Sequence, residues 1–366
     1  MTKIGIVGIG DISGIYLKNI TETFKELEIA AVCDLIKERA LNAQEKYGIP
    51  KVYDTMYELF ADESIELVLN LTRPYEHFAV SKAALEAGKH VYSEKPLGAS
   101  LEEGRQLVAL AEQKGLMIGG APDTFMGAGI QKCRQLIDEG AIGDIVGAAG
   151  FMICRGHETW HHDPEFYYKY GGGPMMDMGP YYITALINLL GGIKSVTGIA
   201  KTSFSQRLIT SQPFAGKVID VDVPTHITGV MGFASGAVGT LTTTFDVYRS
   251  DCSDIEIYGS KGTLFVPDPN CFNGKIRLYD GETKEEKEIE SEFDYGENSR
   301  ALGLADMAKA LKTGRKPRTS YNQTFHVLEV MTAFTESSKL GRKVEITSFY
   351  DRQPPVDPKC EHGILD

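Results

Sequence analysis

The chain has 366 residues, enough for two domains at roughly 100–200 residues each. Hydrophobic residues make up 42% and charged residues 24%, which excludes extended disorder, a collagen-like chain and a coiled coil. Lys and Arg (38) against Asp and Glu (50) leave a net charge of −12, which repels phosphate backbones and argues against a nucleic-acid partner. No apolar run approaches the ~18–20 residues that span a bilayer, so no membrane partner is expected. The apolar run from Lys3 starts at once and leaves no room for a signal peptide. Cys33, Cys133, Cys154, Cys252, Cys271 and Cys360 are widely spaced and form no C-x-x-C, as in the reduced thiols of a cytoplasmic protein.

Along the first third, short apolar runs alternate with helical spacing. Strands are expected at Lys3–Gly8, Glu28–Cys33, Glu66–Leu71, His90–Ser93 and Leu116–Gly119, with a short extended piece at Val52–Tyr53. Helices are expected at Ile15–Leu27, Ile36–Tyr47, Met56–Phe60, His77–Ala87 and Leu101–Lys114. Apolar strands without period-2 alternation are buried on both faces, so this is a doubly wound α/β fold with a parallel sheet. The turn-rich stretch Gly119–Asp123 marks a boundary, giving domains 1–122 and 123–366. Beyond it, helices are expected at Ile130–Asp138 and Pro174–Leu190. From Ser195 to Glu290 strands dominate: Ser195–Lys201, Thr225–Met231, Ala237–Thr244, Ser253–Tyr258, Thr263–Val266 and Ile276–Tyr279. Turn pairs such as Ser235-Gly236 and Lys261-Gly262 join them, so the second domain is α+β with a large, mostly antiparallel open sheet. Helices return at Leu302–Lys312 and Thr324–Leu340, and Gln353–Pro358 reads as an irregular tail.

Gly8-Ile9-Gly10-Asp11-Ile12-Ser13 follows the first strand and opens the first helix. It matches G-x-G-x-x-G with Ser13 at the third glycine. Gly8 permits the tight turn, Gly10 admits a pyrophosphate, and the helix N-terminus stabilises its charge. Asp34 ends the second strand at the expected distance. It can bond the adenosine ribose hydroxyls and would repel a 2′-phosphate, favouring NAD over NADP, although Lys37 and Arg39 could reach a phosphate. Two further loops sit at strand ends, where such a sheet holds its ligand: Leu71-Thr72-Arg73-Pro74 and Ser93-Glu94-Lys95-Pro96. Lys95 beside a nicotinamide could orient a substrate hydroxyl; the bland reading is a solvated Glu-Lys pair before a proline.

His157-Glu158-Thr159-Trp160-His161 spells H-E-x-x-H, a zinc-protease signature. Gly156 before it and Pro164 after it favour a loop, so no metal is expected. Substrate contact is preferred for this segment. Trp160, His161, Phe166 and Tyr167 give it high aromatic density, suited to stacking on a sugar face or an aromatic aglycone; an oligomer interface is the competing reading.

The opening loop, Glu94-Lys95-Pro96 and Gly171-Gly172-Gly173-Pro174-Met175-Met176-Asp177-Met178-Gly179-Pro180-Tyr181 together resemble the Gfo/Idh/MocA oxidoreductases, which include glucose–fructose oxidoreductase and inositol dehydrogenases. The resemblance implies tightly held NAD(P), with cofactor contacts from Gly8, Gly10, Asp11, Ile12, Ser13 and Asp34. It extends these to Leu71, Thr72, Pro74, His77, Glu94 and Lys95. It also implies a homo-oligomer through the open sheet and a catalytic set of Lys, Asp and His or Tyr. The Lys falls on Lys95 and the Asp on Asp177. The family often has His four residues after the Asp; here that residue is Tyr181, and Thr184 follows three further on. A phenol at i,i+4 from Asp177 shares its helical face, and a nearby cation would lower its pKa from ~10. The leading expectation is an NAD-dependent dehydrogenase acting on a secondary hydroxyl, C3 for preference, of a sugar or glycoside. A dehydrogenase of a free sugar or cyclitol, a catalytically silent nucleotide sensor and a zinc hydrolase are the alternatives.

Overall fold

The computed structural model describes residues 1–366. Its first run of elements is β1 (Thr2–Val7), α1 (Ser13–Glu22), β2 (Leu27–Cys33), α2 (Lys37–Tyr47), β3 (Lys51–Tyr53), α3 (Met56–Ala61), β4 (Leu67–Asn70), α4 (His77–Glu86), β5 (His90–Ser93), α5 (Leu101–Lys114) and β6 (Ile118–Gly120). The six strands form one parallel sheet in the order β3-β2-β1-β4-β5-β6. Leu67, Val68 and Leu69 are fully buried, because helices cover both faces of the sheet and an alternating pattern would press polar side chains against one of those layers. Local chemistry sets the helix ends. Ser100 Oγ accepts the Glu103 N–H at the start of α5, and Gly115 closes it in the left-handed conformation. The helix expected to reach Leu27 stops at Glu22, because Leu27 pairs with Thr2 and starts β2 instead.

The second run is α6 (Ala128–Asp138), β7 (Ile145–Ile153), α7 (Pro174–Leu190), β8 (Ile193–Lys201), β9 (Gln206–Leu208), β10 (Val218–Asp220), β11 (His226–Phe233), β12 (Val238–Thr244), β13 (Ile255–Gly259), β14 (Gly262–Val266), β15 (Ile276–Asp280) and β16 (Glu286–Ile289). Then come α8 (Leu302–Thr313), α9 (Tyr321–Leu340) and β17 (Val344–Glu345). Nine strands make a mixed sheet in the order β16-β15-β14-β13-β7-β12-β11-β8-β17. All its pairs are antiparallel except β7 with β12. β9 and β10 form a separate two-stranded ribbon. α7 packs on β7, β11 and β12. Every residue of α7 from Gly179 to Leu190 is buried, as expected for a helix that is apolar all round.

The chain divides into two compact units that are not contiguous in sequence. One is Met1–Gly127 with Asp294–Phe325 and Pro354–Asp366; the other is Ala128–Phe293 with His326–Gln353. This differs from a single cut at 122/123. The returning segments complete the first sheet's surroundings. Gly120 donates to Thr319 O, and the buried Asp123 carboxylate accepts from Ala301 N (3.1 Å) and Gly303 N (3.0 Å) at the start of α8. The buried Arg318 binds both Asp306 (2.6 Å) and Asp366 (2.6 Å), which fastens the irregular tail.

Candidate functional site

In the first unit the strand register aligns the loops that matter. Val7 pairs with both Cys33 and Asn70, and Asn70 pairs with Ser93. Gly8, Asp34, Leu71 and Glu94 therefore leave the sheet side by side at its C-terminal edge. β1 and β4 are neighbours out of sequence order, which makes this the switch point where a ligand crevice opens. Gly8 has φ +95°, and a Cβ on it would lie 2.8 Å from the Leu71 carbonyl carbon and oxygen, so only glycine lets the two loops meet. A Cβ on Gly10 would touch nothing within 4 Å, which leaves the approach a pyrophosphate needs. Asp11 beside it is exposed. Ser13 Oγ donates to Gly10 O (2.6 Å) and closes the loop. Ile12 caps α1 without a side-chain bond, and the first turn holds no acidic residue, so the positive helix end suits an anion.

Asp34 accepts from Ile9 N at Oδ2 (2.6 Å) and from Ile36 N at Oδ1 (2.7 Å). It thus ties the glycine loop to the end of β2, with further lone pairs to offer ribose hydroxyls. Lys37 lies 2.5 Å from Asp54, and that hydrogen bond raises its pKa. These donors and acceptors fit a dinucleotide. Thr72 Oγ1 donates to Asn70 Oδ1 (2.7 Å), which shapes the loop through Pro74. His77 takes a different role from the expected cofactor contact. The residue is 1% exposed, with Nδ1 2.8 Å from Pro96 O and Nε2 2.9 Å from Thr72 O, so it packs between the two loops and its one N–H donates to one of these carbonyls. Burial lowers its pKa. Glu94 is a brace: Tyr16 Oη donates to Oε1 (2.7 Å) and Lys95 N to Oε2 (3.0 Å). Burial, then Glu94, pushes the Tyr16 phenol well up. Lys95 follows, half-buried, before Pro96.

In the second unit the triple glycine has a steric reason. A Cβ on Gly172 would lie 2.5 Å from Phe166 O, and Gly173, at φ +90°, donates to Tyr167 O (2.7 Å). The 3-10 turn Glu165–Tyr168 is thereby packed against the start of α7. Asp177 lies in the first turn of α7, where the helix dipole favours a carboxylate. Tyr181 is one turn on and buried. Tyr182 packs elsewhere, within 3.2 Å of Asp254 Oδ1 and 3.3 Å of Phe151 O. Burial raises its pKa.

The segment from His157 to His161 forms a turn, not a helix, so the H-E-x-x-H spacing does not set two imidazoles on one helical face. His157 Nε2 instead lies 3.1 Å from Asp177 Oδ2. Its ring packs against Tyr167, Phe245 and Trp160, at centroid distances of 4.1, 4.7 and 5.2 Å. The expected substrate residues come together beside it. His161 lies 5.4 Å from Trp160, 5.7 Å from Phe166 and 5.2 Å from Tyr167, and Trp160 is 64% exposed. Underneath, buried Arg207 bonds Glu158 Oε1 (3.0 Å) and Asp246, while Tyr168 Oη donates to Glu158 Oε2. Sequence reasoning missed His157 as the partner of Asp177, although the residue was in view inside the motif. It also missed Arg207 and Asp246, for which no local pattern signals burial.

A model of the oxidoreductase family with an NAD-binding Rossmann fold matches residues 2–120, and the GFO/IDH/MocA C-terminal domain matches residues 130–265. D-xylose 1-dehydrogenase (NADP(+)) 2 of Haloferax volcanii is 26% identical over 93% of this chain and 99% of its own length. Myo-inositol 2-dehydrogenase of Thermotoga maritima is 24% identical over 72% of this chain and 75% of its own. Among solved structures, levoglucosan dehydrogenase in complex with NADH and L-sorbose shares the fold, with a TM-score of 0.81 at 20% identity over 95% of this chain and 99% of that one. With both halves matched in order and the glycine loop built as a dinucleotide cradle, the chain belongs to the Gfo/Idh/MocA family of oxidoreductases, an NAD-binding family with sugar and cyclitol dehydrogenases among its members.

Proposed function

We propose that the chain is an NAD-dependent dehydrogenase that oxidises a secondary hydroxyl, C3 for preference, of a sugar or glycoside. The observation that carries the reading is the aromatic cluster around the largely exposed Trp160, next to the His157–Asp177 contact. Flat rings stack on the C–H face of a pyranose or on an aromatic aglycone, and a carboxylate beside them can orient a hydroxyl. The xylose and inositol dehydrogenases among the relatives support the polyol class, and they favour a free sugar or cyclitol as the second reading.

When bound, NAD+ supplies the hydride acceptor. Gly10 and the start of α1 take the pyrophosphate, and Asp34 takes the ribose hydroxyls. A 2′-phosphate would face the Asp34 carboxylate, and Lys37 is engaged by Asp54, which supports NAD over NADP. Lys95 orients the reacting hydroxyl, Asp177 holds it, and Tyr181 accepts its proton. Exposed thiols at Cys252 and Cys271 support a reducing, cytoplasmic setting. Exposed Ile199, Val230 and Val238 support a homo-oligomer through the nine-stranded sheet.

The test is a panel of glycosides, free sugars and cyclitols with NAD+, with products identified by NMR and NADH and NADPH binding compared by calorimetry. A 3-keto product is expected, with tighter NADH binding. Lys95→Ala, Asp177→Asn and Tyr181→Phe should each lower turnover by roughly 10²–10⁴ while retaining NADH. Oxidation of a free aldose at C1 would move the assignment to the second reading. Nucleotide binding with no turnover on any compound would point to a sensor.

A further inference from the structure

We infer that His157 is the positioning residue for Asp177, supplying from the loop after β7 an imidazole that α7 does not carry near its start. Three observations carry this. His157 Nε2 is 3.1 Å from Asp177 Oδ2, close enough for one hydrogen bond to fix the plane of the carboxylate. The residue is buried, its side chain 11% exposed, and Nδ1 has no hydrogen-bond partner, so the Asp177 contact is the only polar contact its side chain makes. The ring is also held on three sides by Tyr167, Phe245 and Trp160.

The loop behind the ring has bonds of its own. His157 N donates to Tyr168 Oη (3.3 Å), and the next residue, Glu158, is locked to Arg207. A buried imidazole that bonds one carboxylate and nothing else does little for the fold that a well-packed phenyl ring would not do. What it adds is orientation: the Nε2–H holds Oδ2, and Asp177 meets the substrate hydroxyl in a single pose. The hydroxyl proton and the hydride leave by the route already given, and His157 acts through Asp177 alone.

This inference rests on the dehydrogenase reading, and two measurements on the full chain separate their failures. The first needs neither cofactor nor turnover. With histidine labelled with 15N, the Nε2–H of His157, assigned by its loss in His157→Gln, should give a slowly exchanging downfield proton signal that disappears in Asp177→Ala. A signal absent from wild type, or kept in Asp177→Ala, overturns the pairing and leaves the dehydrogenase reading standing. The second is kinetic, on whichever polyol the panel yields. His157→Phe keeps the packing and should lower kcat by about 10–100-fold with KM within roughly twofold, the scale on which a misoriented reacting group costs rate. His157→Gln, whose amide can still donate to Asp177, should recover most of that loss. Equal losses in both variants, or a change in KM alone, would make His157 a packing residue. A chain that oxidises nothing overturns the dehydrogenase reading and the role of His157 with it.

Discussion

Asp123 is 1% exposed, and burial, outweighing the N–H of Gly303, pushes its pKa up to about 6. An unfolded aspartate titrates near ~3.9, so between about pH 4 and 6 the native state binds the extra proton. The contribution of Asp123 to stability therefore falls as pH rises through that window, by about 2–3 kcal/mol in all. Asp123→Asn keeps an oxygen for Ala301 and Gly303 and has no charge to bury. It should be more stable than wild type at pH 7 by up to that amount, with the gain fading towards pH 4. Urea unfolding at several pH values measures it, and an asparagine variant that is less stable at pH 7 would reverse the argument. The same scale shows where reading a sequence stops. The geometry of the glycine loop was legible: Gly8, Gly10 and Asp34 stand in order at fixed spacing, and the structure ties them together at the end of the sheet. The roles of His77 and Glu94 were not, since a polar residue beside a ligand loop looks the same in sequence whether it faces outward or braces from behind.

Elements with one dominant physical cause were the legible ones. β5, α5 and α7 fall where apolar spacing and capping residues put them. β7 was invisible because Ile145–Ile153 carries two glycines and two alanines, with little strand propensity of its own; it exists because β12 and β13 pair with it on either side. β9 and β10 were invisible because three-residue strands give no periodicity. Yet β9 delivers Arg207, which holds the aromatic loop in place from about fifty residues away. The Arg207, Glu158 and Asp246 side chains are between 2% and 6% exposed, so removing the guanidinium leaves two buried carboxylates with no cation and only the hydroxyls of Tyr168 and Thr225 to bond them. Arg207→Met should cost about 3–5 kcal/mol, the usual penalty for breaking a buried ion group from one side. A urea midpoint within error of wild type would show that the two acids take up protons at no cost and that the loop does not depend on the pair.

At the scale of the whole molecule, the order of strands and helices was readable but the return of the chain was not. Nothing in Asp294–Phe325 or Pro354–Asp366 marks them as parts of the first unit, because the contacts that hold them, Asp123 with the start of α8 and Arg318 with Asp366, join residues far apart in sequence. The nine-stranded sheet raises the remaining question of scale. α7 and α6 pack against its strands, and pairing sets the side chains of the opposite face in register, Ile199 across from Thr228 and Val230 across from Thr240. Ile199 is 70% exposed, Val238 55% and Val230 43%. Nine strands at ~4.8 Å spacing and six residues at ~3.4 Å make a face of roughly 40 by 20 Å, about the 800 Å² per partner of a stable interface. The apolar part of that face lies on β8, β11 and β12, where Ile199, Val230 and Val238 stand beside threonines, while Glu256, Arg277, Glu286 and Glu288 share it further along, so the proposed homo-oligomer would close over the β8–β12 end. Sedimentation at micromolar concentration should therefore find a dimer or larger assembly. Ile199→Asp with Val230→Asp should yield monomer, since each copy would bring two carboxylates into a closed apolar contact. Neither position is buried within the chain, so unfolding of the double variant should still be cooperative. Wild type that sediments as a monomer, or a double variant that stays assembled, would mean that this face is not the interface.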